Sequence, residues 1–240
     1  MLLIVILLPL LLGTLLTFWI GRLRGGQLRG LTAITAGGVT LGSLAILLAQ
    51  APAVFAGQPI LNHWAWLPEL GLNISFRLDG LALMFALMIT IIGLLIITYA
   101  HSYLSKTDSV AKFYSLLMLF MAAMLGIVLS DNVLLLIIFW ELTSISSFLL
   151  VGYWSHKPEA RSGARMALTV TGGGGLAMLA GFILLGEIAG TYEISQMTAQ
   201  AGLIQAHAWF TPALLLILVG CFTKSAQFPF HFWLPDAMAA

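Results

Sequence analysis

Residues 139–154 read FWELTSISSFLLVGYW, an apolar and aromatic run that carries one carboxylate, Glu141. The run belongs to a longer apolar stretch over roughly residues 132–152. About twenty apolar residues are what an α-helix needs to cross the hydrocarbon core of a bilayer. Glu141 falls near the middle of that length. A charge at such depth costs about 2.5–3.5 kcal/mol on insertion scales, and residues of this kind face a bundle interior or a wetted cavity, where they mark ion or proton paths. The plainer alternative is a protonated glutamate making one interhelical hydrogen bond.

The whole chain shares this character. Of its 240 residues, 60% are hydrophobic and only 8% are charged, and the mean hydropathy is +1.04. Soluble domains carry about a quarter charged residues. A water-exposed fold of this length cannot bury that much apolar surface, so the chain reads as an all-α polytopic membrane protein. The formal net charge of +1 gives no electrostatic case for nucleic acid. The single cysteine, Cys221, excludes an intrachain disulfide and a thiolate metal cluster supplied by this chain.

Seven runs are long and apolar enough to span, roughly 2–20, 30–50, 80–100, 113–129, 132–152, 166–186 and 209–227. The first lacks a basic leading region and is followed by Arg22 and Arg24, so it reads as a retained span rather than a signal peptide. Arg22, Arg24 and Arg29 follow span one, Lys106 and Lys112 follow span three, and Lys157, Arg161 and Arg165 follow span five. These loops share a side, while the opposite side has only Arg77. The positive-inside rule makes the cation-rich side cytoplasmic and puts the N-terminus outside. The long connection 51–78 alternates apolar and polar residues between turn residues and predicts a small exterior hairpin, with Trp64 and Trp66 at the interface. The final segment, HFWLPDAMAA, has no basic flank or cap, which suggests the start of an eighth span and a longer parent protein.

Below Glu141 the helix carries Thr143, Ser144, Ser146 and Ser147, whereas Leu134, Ile137 and Ile138 lie above it. Only Ser144, at i+3, comes near the glutamate's own face. A dry outer half and a hydroxylated inner half fit water access from the cytoplasm, and also fit ordinary Ser/Thr helix packing. The second intramembrane charge is Lys224, in TKSAQFPFHFWLP. Apolar and aromatic residues continue past it, and Pro229 removes a backbone donor, which predicts that span seven is broken near Pro229. Broken helices at membrane depth are tolerated where protein or water satisfies the backbone, and transporters use them at ion sites. The bland alternative is a lysine at a helix end reaching for the surface.

A buried carboxylate and a buried ammonium have two states of similar energy: charged and paired, or separated and each close to neutral. If their helices meet, they form a switchable proton relay. His231 shares the face of Lys224 if the helix persists, and histidine titrates near neutral pH. The other histidines, His63, His101, His156 and His207, fall at span edges or in loops. Asp236 after Pro235 resembles a helix start. Four consecutive glycines, 172–175, suggest either close helix packing or a local irregularity beside a hydrated path. No phosphate loop, nucleophile triad or metal spacing is present, and no bound cofactor is expected.

FWELTSISSFLLVGYW, GARMALTVTGGGGLAMLAGFILL and TKSAQFPFHFWLPDAM together resemble the antiporter-like membrane subunits, the family that includes the large membrane subunits of complex I and the Mrp cation/proton antiporters. The resemblance covers about 75–240 well and the first two spans more loosely, and ELTSISSFLL with GGGGLAML favours the A-type Mrp subunits. It implies that Glu141 and Lys224 form the ion pair of a proton channel, that Ser144 and Ser147 line its inner half, and that His231 sits near a central polar axis. It implies an N-terminal two-helix region over 1–78 with its exterior loop, and over 79–240 the beginning of a proton-translocating domain whose first repeat is incomplete. The function it implies is that of a transporter component rather than an enzyme. It would exchange H+ for Na+, or for K+ or Li+, with other subunits of a hetero-oligomeric complex in a bacterial inner membrane. Two alternatives stand beside it: a proton-pumping subunit of NADH:quinone oxidoreductase, and a structural scaffold. The chain shows no carboxylate cluster suited to sodium, which leaves the sodium path to other subunits or to the rest of the protein.

Overall fold

The computed structural model describes residues 2–23, 29–105 and 108–238. Arg24 and Lys106, two of the cations that orient the loops, lie outside the described residues. Each of the seven apolar runs coincides with a helical segment. In chain order these are α1 (Leu2–Leu7), which continues through a π-helical stretch (Leu8–Leu16) into α2 (Thr17–Leu23), then α3 (Arg29–Phe55). After strands β1 (Ile60–Leu67) and β2 (Leu72–Leu78) come α4 (Gly80–Tyr103), α5 (Val110–Leu129), α6 (Val133–Val151) and α7 (Pro158–Ala189). Short helices α8 (Ile194–Ala199) and α9 (Ala201–Ala206) precede α10 (Phe210–Lys224), and α11 (Trp233–Met238) closes the described part. Five helices, α3 to α7, are long and apolar enough to cross a membrane, and α10 is a shorter apolar helix. The chain is a polytopic membrane protein.

The expected hairpin is present: β1 and β2 pair in a two-stranded sheet. A 3-10 turn over Pro68–Leu70 joins them and ends on Gly71 in the left-handed region, at φ 67°. Trp64 and Trp66 are exposed.

The chain forms two compact units. The first comprises Met1–Asn62 and Phe76–Leu129. Its π-helical stretch has a local cause. Pro9 cannot donate to the carbonyl four residues earlier and its ring crowds that group. The carbonyl of Val5 instead accepts the Ser43 hydroxyl of α3 at 3.2 Å. Thr17 bonds Ser115 of α5 at 2.8 Å, and the buried Tyr114 hydroxyl donates to the Ile97 carbonyl at 3.0 Å. Hydroxyls thus satisfy backbone and one another where water is absent.

The second unit comprises His63–Ser75 and Ser130–Ala240. Its centre is α7, against which α6, α10 and α11 pack. Asn132 starts α6: its side-chain oxygen accepts the N–H groups of Leu134 and Leu135, both at 3.1 Å, two of the donors a helix start leaves free. Pro158 opens α7 and Gly190, at φ 64°, ends it, the expected asymmetry of helix ends. The four glycines do not interrupt α7, and close packing falls on Gly174 and Gly175 rather than on a local irregularity.

The helix of the seventh apolar run ends earlier than its hydropathy suggests. The helix stops at Lys224, and Pro229 stands five residues further on. Ala226 sits in the left-handed region at φ 52°. The Ala226 N–H reaches the Thr223 carbonyl at 3.4 Å and the Gln227 N–H reaches Phe222 at 2.9 Å, the pair of bonds that defines a Schellman end. The Trp233 indole adds a third, to the Thr223 carbonyl at 3.0 Å. The break is therefore made by Ala226, with Pro229 beyond it. With the helix ended, the i+7 relation between Lys224 and His231 no longer holds. Asp236 lies inside α11 rather than at its cap.

Candidate functional site

Glu141 sits near the middle of the 19-residue α6 and faces the glycines of α7. A Cβ on Gly175 would overlap the Glu141 carboxylate, with Cδ at 2.9 Å, and a Cβ on Gly174 would lie 2.7 Å from Thr223 Cβ of α10. Adjacent helical residues point about 100° apart. One glycine therefore admits α6 and the next admits α10, and α7 brings both partners to backbone distance.

That approach carries Lys224 to α6. Its Nζ donates to Ser144 Oγ at 2.8 Å and reaches the Trp140 carbonyl at 3.5 Å. It also stands 5.4 Å from the centre of the Trp140 ring. The ammonium does not form an ion pair with Glu141 within 4.0 Å. Glu141 Oε1 and Trp140 Nε1 are both buried without a hydrogen-bond partner. The helices of the two charges meet, with the lysine seated one turn along α6 from the glutamate.

Ser144 is buried and holds Lys224. Ser147 is half-buried on the same helix. His231 is exposed and stacks on Phe228, with ring centres 5.7 Å apart. Pro229 is exposed between them.

A second polar centre has no counterpart among the residues that the sequence marks out. Fully buried Asn132 donates to Glu193 Oε1 at 3.0 Å and to the Gly71 carbonyl at 2.9 Å. Asn73 donates to the same carboxylate oxygen at 3.1 Å. Asp131 accepts the Ser195 hydroxyl at 2.6 Å. Beside this network lies a cavity of about 490 Å³ lined by Glu69, Asn73, Glu187, Tyr192 and Glu193 among others. The Tyr192 hydroxyl donates to Glu187 at 3.2 Å. Burial, then that bond and the Glu187 charge, hold the phenol above its ordinary titration range. Asn132 is detectable as a helix-start residue before an apolar run. The remainder is assembled from distant segments and has no local signature.

Two family models match. Residues 130–240 match the family described as NADH:quinone oxidoreductase/Mrp antiporter, TM, and residues 64–114 match NADH-Ubiquinone oxidoreductase (complex I), chain 5 N-terminus. A probable K(+)/H(+) antiporter A/B subunit of Rhizobium meliloti (strain 1021) is 50% identical over 212 residues, covering 88% of this chain and 21% of that protein. The chain belongs to the antiporter-like membrane-subunit family. Another family member, the putative antiporter subunit mnhA2 of Staphylococcus haemolyticus (strain JCSC1435), is 47% identical over 229 residues, covering 94% of this chain and 28% of its own length. This antiporter-like chain thus spans about a quarter of the length of such relatives. Its fold matches a chain in the structure of the Mrp complex from Dietzia sp. DQ12-45-1b, with a TM-score of 0.85, 32% identity and coverage of 100% of this chain and 25% of that one. A chain of the archaeal membrane-bound sulfane sulfur reductase shares the fold alone, at 22% identity and a TM-score of 0.80.

Proposed function

We propose that the chain forms part of the A-type component of a multisubunit monovalent cation/proton antiporter in a bacterial inner membrane. In this reading seven segments span, α11 begins an eighth, and the N-terminus lies outside. Residues 79–240 form the beginning of the proton-translocating domain. The observation that carries the reading is the seat of Lys224 on Ser144, one turn from Glu141, between helices pressed together by glycine. Two opposite charges within reach, yet unpaired, make a relay with a closed and an open state.

The steps follow from charge and burial. When Lys224 swings from Ser144 to Glu141, carboxylate and ammonium stabilise each other. When it returns to Ser144, the carboxylate stands without a counter-charge in an apolar surround, which favours uptake of a proton. Ser144 and Ser147 line the inner approach to the glutamate, and His231 stands beyond the broken span as a later carrier. Antiporter relatives support this class over the respiratory alternative. Na+ is the proposed exchanged cation, with K+ or Li+ as the other candidates.

The test uses the full-length protein with all partner subunits in everted membrane vesicles carrying an imposed pH gradient. Antiport predicts that added Na+ or K+ dissipates the gradient. Absence of any cation response, together with proton uptake driven by NADH oxidation, contradicts it and favours the respiratory reading.

A further inference from the structure

Trp140 immediately precedes Glu141, and its side chain serves neither as a hydrogen-bond donor nor as simple lipid-facing bulk. Its Nε1 is buried without a partner, so the indole is not held there by its N–H. Its Cδ1 lies 3.5 Å from where a Gly175 Cβ would stand, which wedges the ring beside α7. What the ring does contact is charge: the Lys224 ammonium stands 5.4 Å from its centre. The backbone carbonyl of the same residue faces the same Nζ at 3.5 Å. A cation within about 6 Å of an aromatic face is attracted by the ring quadrupole, most strongly for tryptophan and more strongly where water is excluded.

We propose that Trp140 is a positioning residue whose indole face, with Ser144 Oγ, forms a seat that holds the Lys224 ammonium off Glu141. This rests on the reading of Glu141 and Lys224 as a relay. The seat gives the open state its own stabilisation. Without it a buried ammonium one turn from a carboxylate collapses onto that carboxylate. The ring face rather than the N–H supplies the attraction, so phenylalanine substitutes for it and an aliphatic side chain does not.

Among the described residues, few other charges lie on the elements packed against Glu141. The packed face of α7 presents Gly172 and Gly175 to it. The titratable groups of α7 are Glu159, Arg161 and Arg165 in its first eight residues and Glu187 near its end. Cys221 and Lys224 lie on α10, while His231 and Asp236 lie on the segment beyond it.

The experiment is an infrared pH titration of the Glu141 carboxyl band in the full complex. Glu141→Gln identifies the band, and Trp140→Phe, Trp140→Leu and Trp140→Met are compared at matched membrane abundance. Loss of the ring releases Lys224 toward Glu141, which favours the carboxylate. The midpoint in Trp140→Leu and Trp140→Met therefore falls by about half a pH unit or more, while Trp140→Phe stays near wild type. Should the leucine variant fail to assemble, the methionine variant carries the comparison. Wild-type midpoints in the aliphatic variants, or a phenylalanine variant that behaves like them, overturn the seat. The band does not depend on transport. A ring-dependent shift in vesicles that show no cation response leaves the seat standing and removes the antiport reading, and the reverse pattern removes only the seat.

Discussion

Lys224 Nζ donates to Ser144 Oγ at 2.8 Å, one helical turn along α6 from Glu141. In the proposed relay, that hydroxyl holds the open state. The hydroxyl is neutral, so it accepts the ammonium without competing as strongly as a carboxylate would. The two states remain close in energy, as a carrier that must return requires.

Removing that hydroxyl shifts the balance. A hydrogen bond to a charged group contributes about 1.5–3 kcal/mol. Ser144→Ala is expected to slow cation-dependent proton movement roughly tenfold or more, at about 1.4 kcal/mol per tenfold, with Ser144→Thr retaining most of it. Initial rates in everted vesicles at equal protein abundance check this. A wild-type rate in the alanine variant contradicts the seat at Ser144.

The glycine run should divide by position. Gly174→Ala and Gly175→Ala force a Cβ into Thr223 and Glu141 and are expected to destabilise by about 1–3 kcal/mol, the usual cost of overpacking. Gly173 has nothing within 4 Å of its added Cβ. Gly173→Ala is therefore neutral or stabilising, by up to about 1 kcal/mol from helix propensity. Thermal unfolding midpoints of the detergent-solubilised complex separate the three.

The end of α10 makes a similar case. Ala226 occupies the left-handed region at φ 52°, where a Cβ costs roughly 1–2 kcal/mol. Ala226→Gly is expected to raise the melting midpoint and Ala226→Val to lower it. Equal midpoints would mean that the turn is not fixed by this residue.

At the cavity, Tyr192 offers a titration. Its phenol is raised by burial first, then by the bond to Glu187 and the Glu187 charge. Glu187→Gln removes the charge and leaves an amide oxygen that still accepts the phenol, so the midpoint falls toward the ordinary value of about 10 while burial keeps it above. The sign for stability follows: the fold favours the neutral phenol below its ordinary value, and that contribution is lost as pH rises through the raised one. Phenolate absorbance, with Tyr192→Phe subtracted, reads the shift.

How much of this is legible in the sequence differs by residue. The seven helical runs are legible because lipid demands length and apolarity, and both are local properties. Glu141 and Lys224 are legible because a charge inside an apolar run is costly and so conspicuous. That Lys224 stops at Ser144 is not legible, since it depends on α7 bringing α10 within reach through Gly174 and Gly175. The helix end at Lys224 is also hidden, because Pro229 is the visible breaker while Ala226, an ordinary residue in a rare conformation, makes the turn. The Asn132–Glu193–Asn73 network joins three distant segments, which no local pattern announces.

The most direct measurement is cation-induced collapse of a pH gradient in everted vesicles containing the complete complex, with wild type, Glu141→Ala and Lys224→Ala at matched abundance. The account predicts that Na+ or K+ collapses the gradient in wild type and that each substitution abolishes the response. Normal responses in both variants would contradict it and make the two buried charges structural.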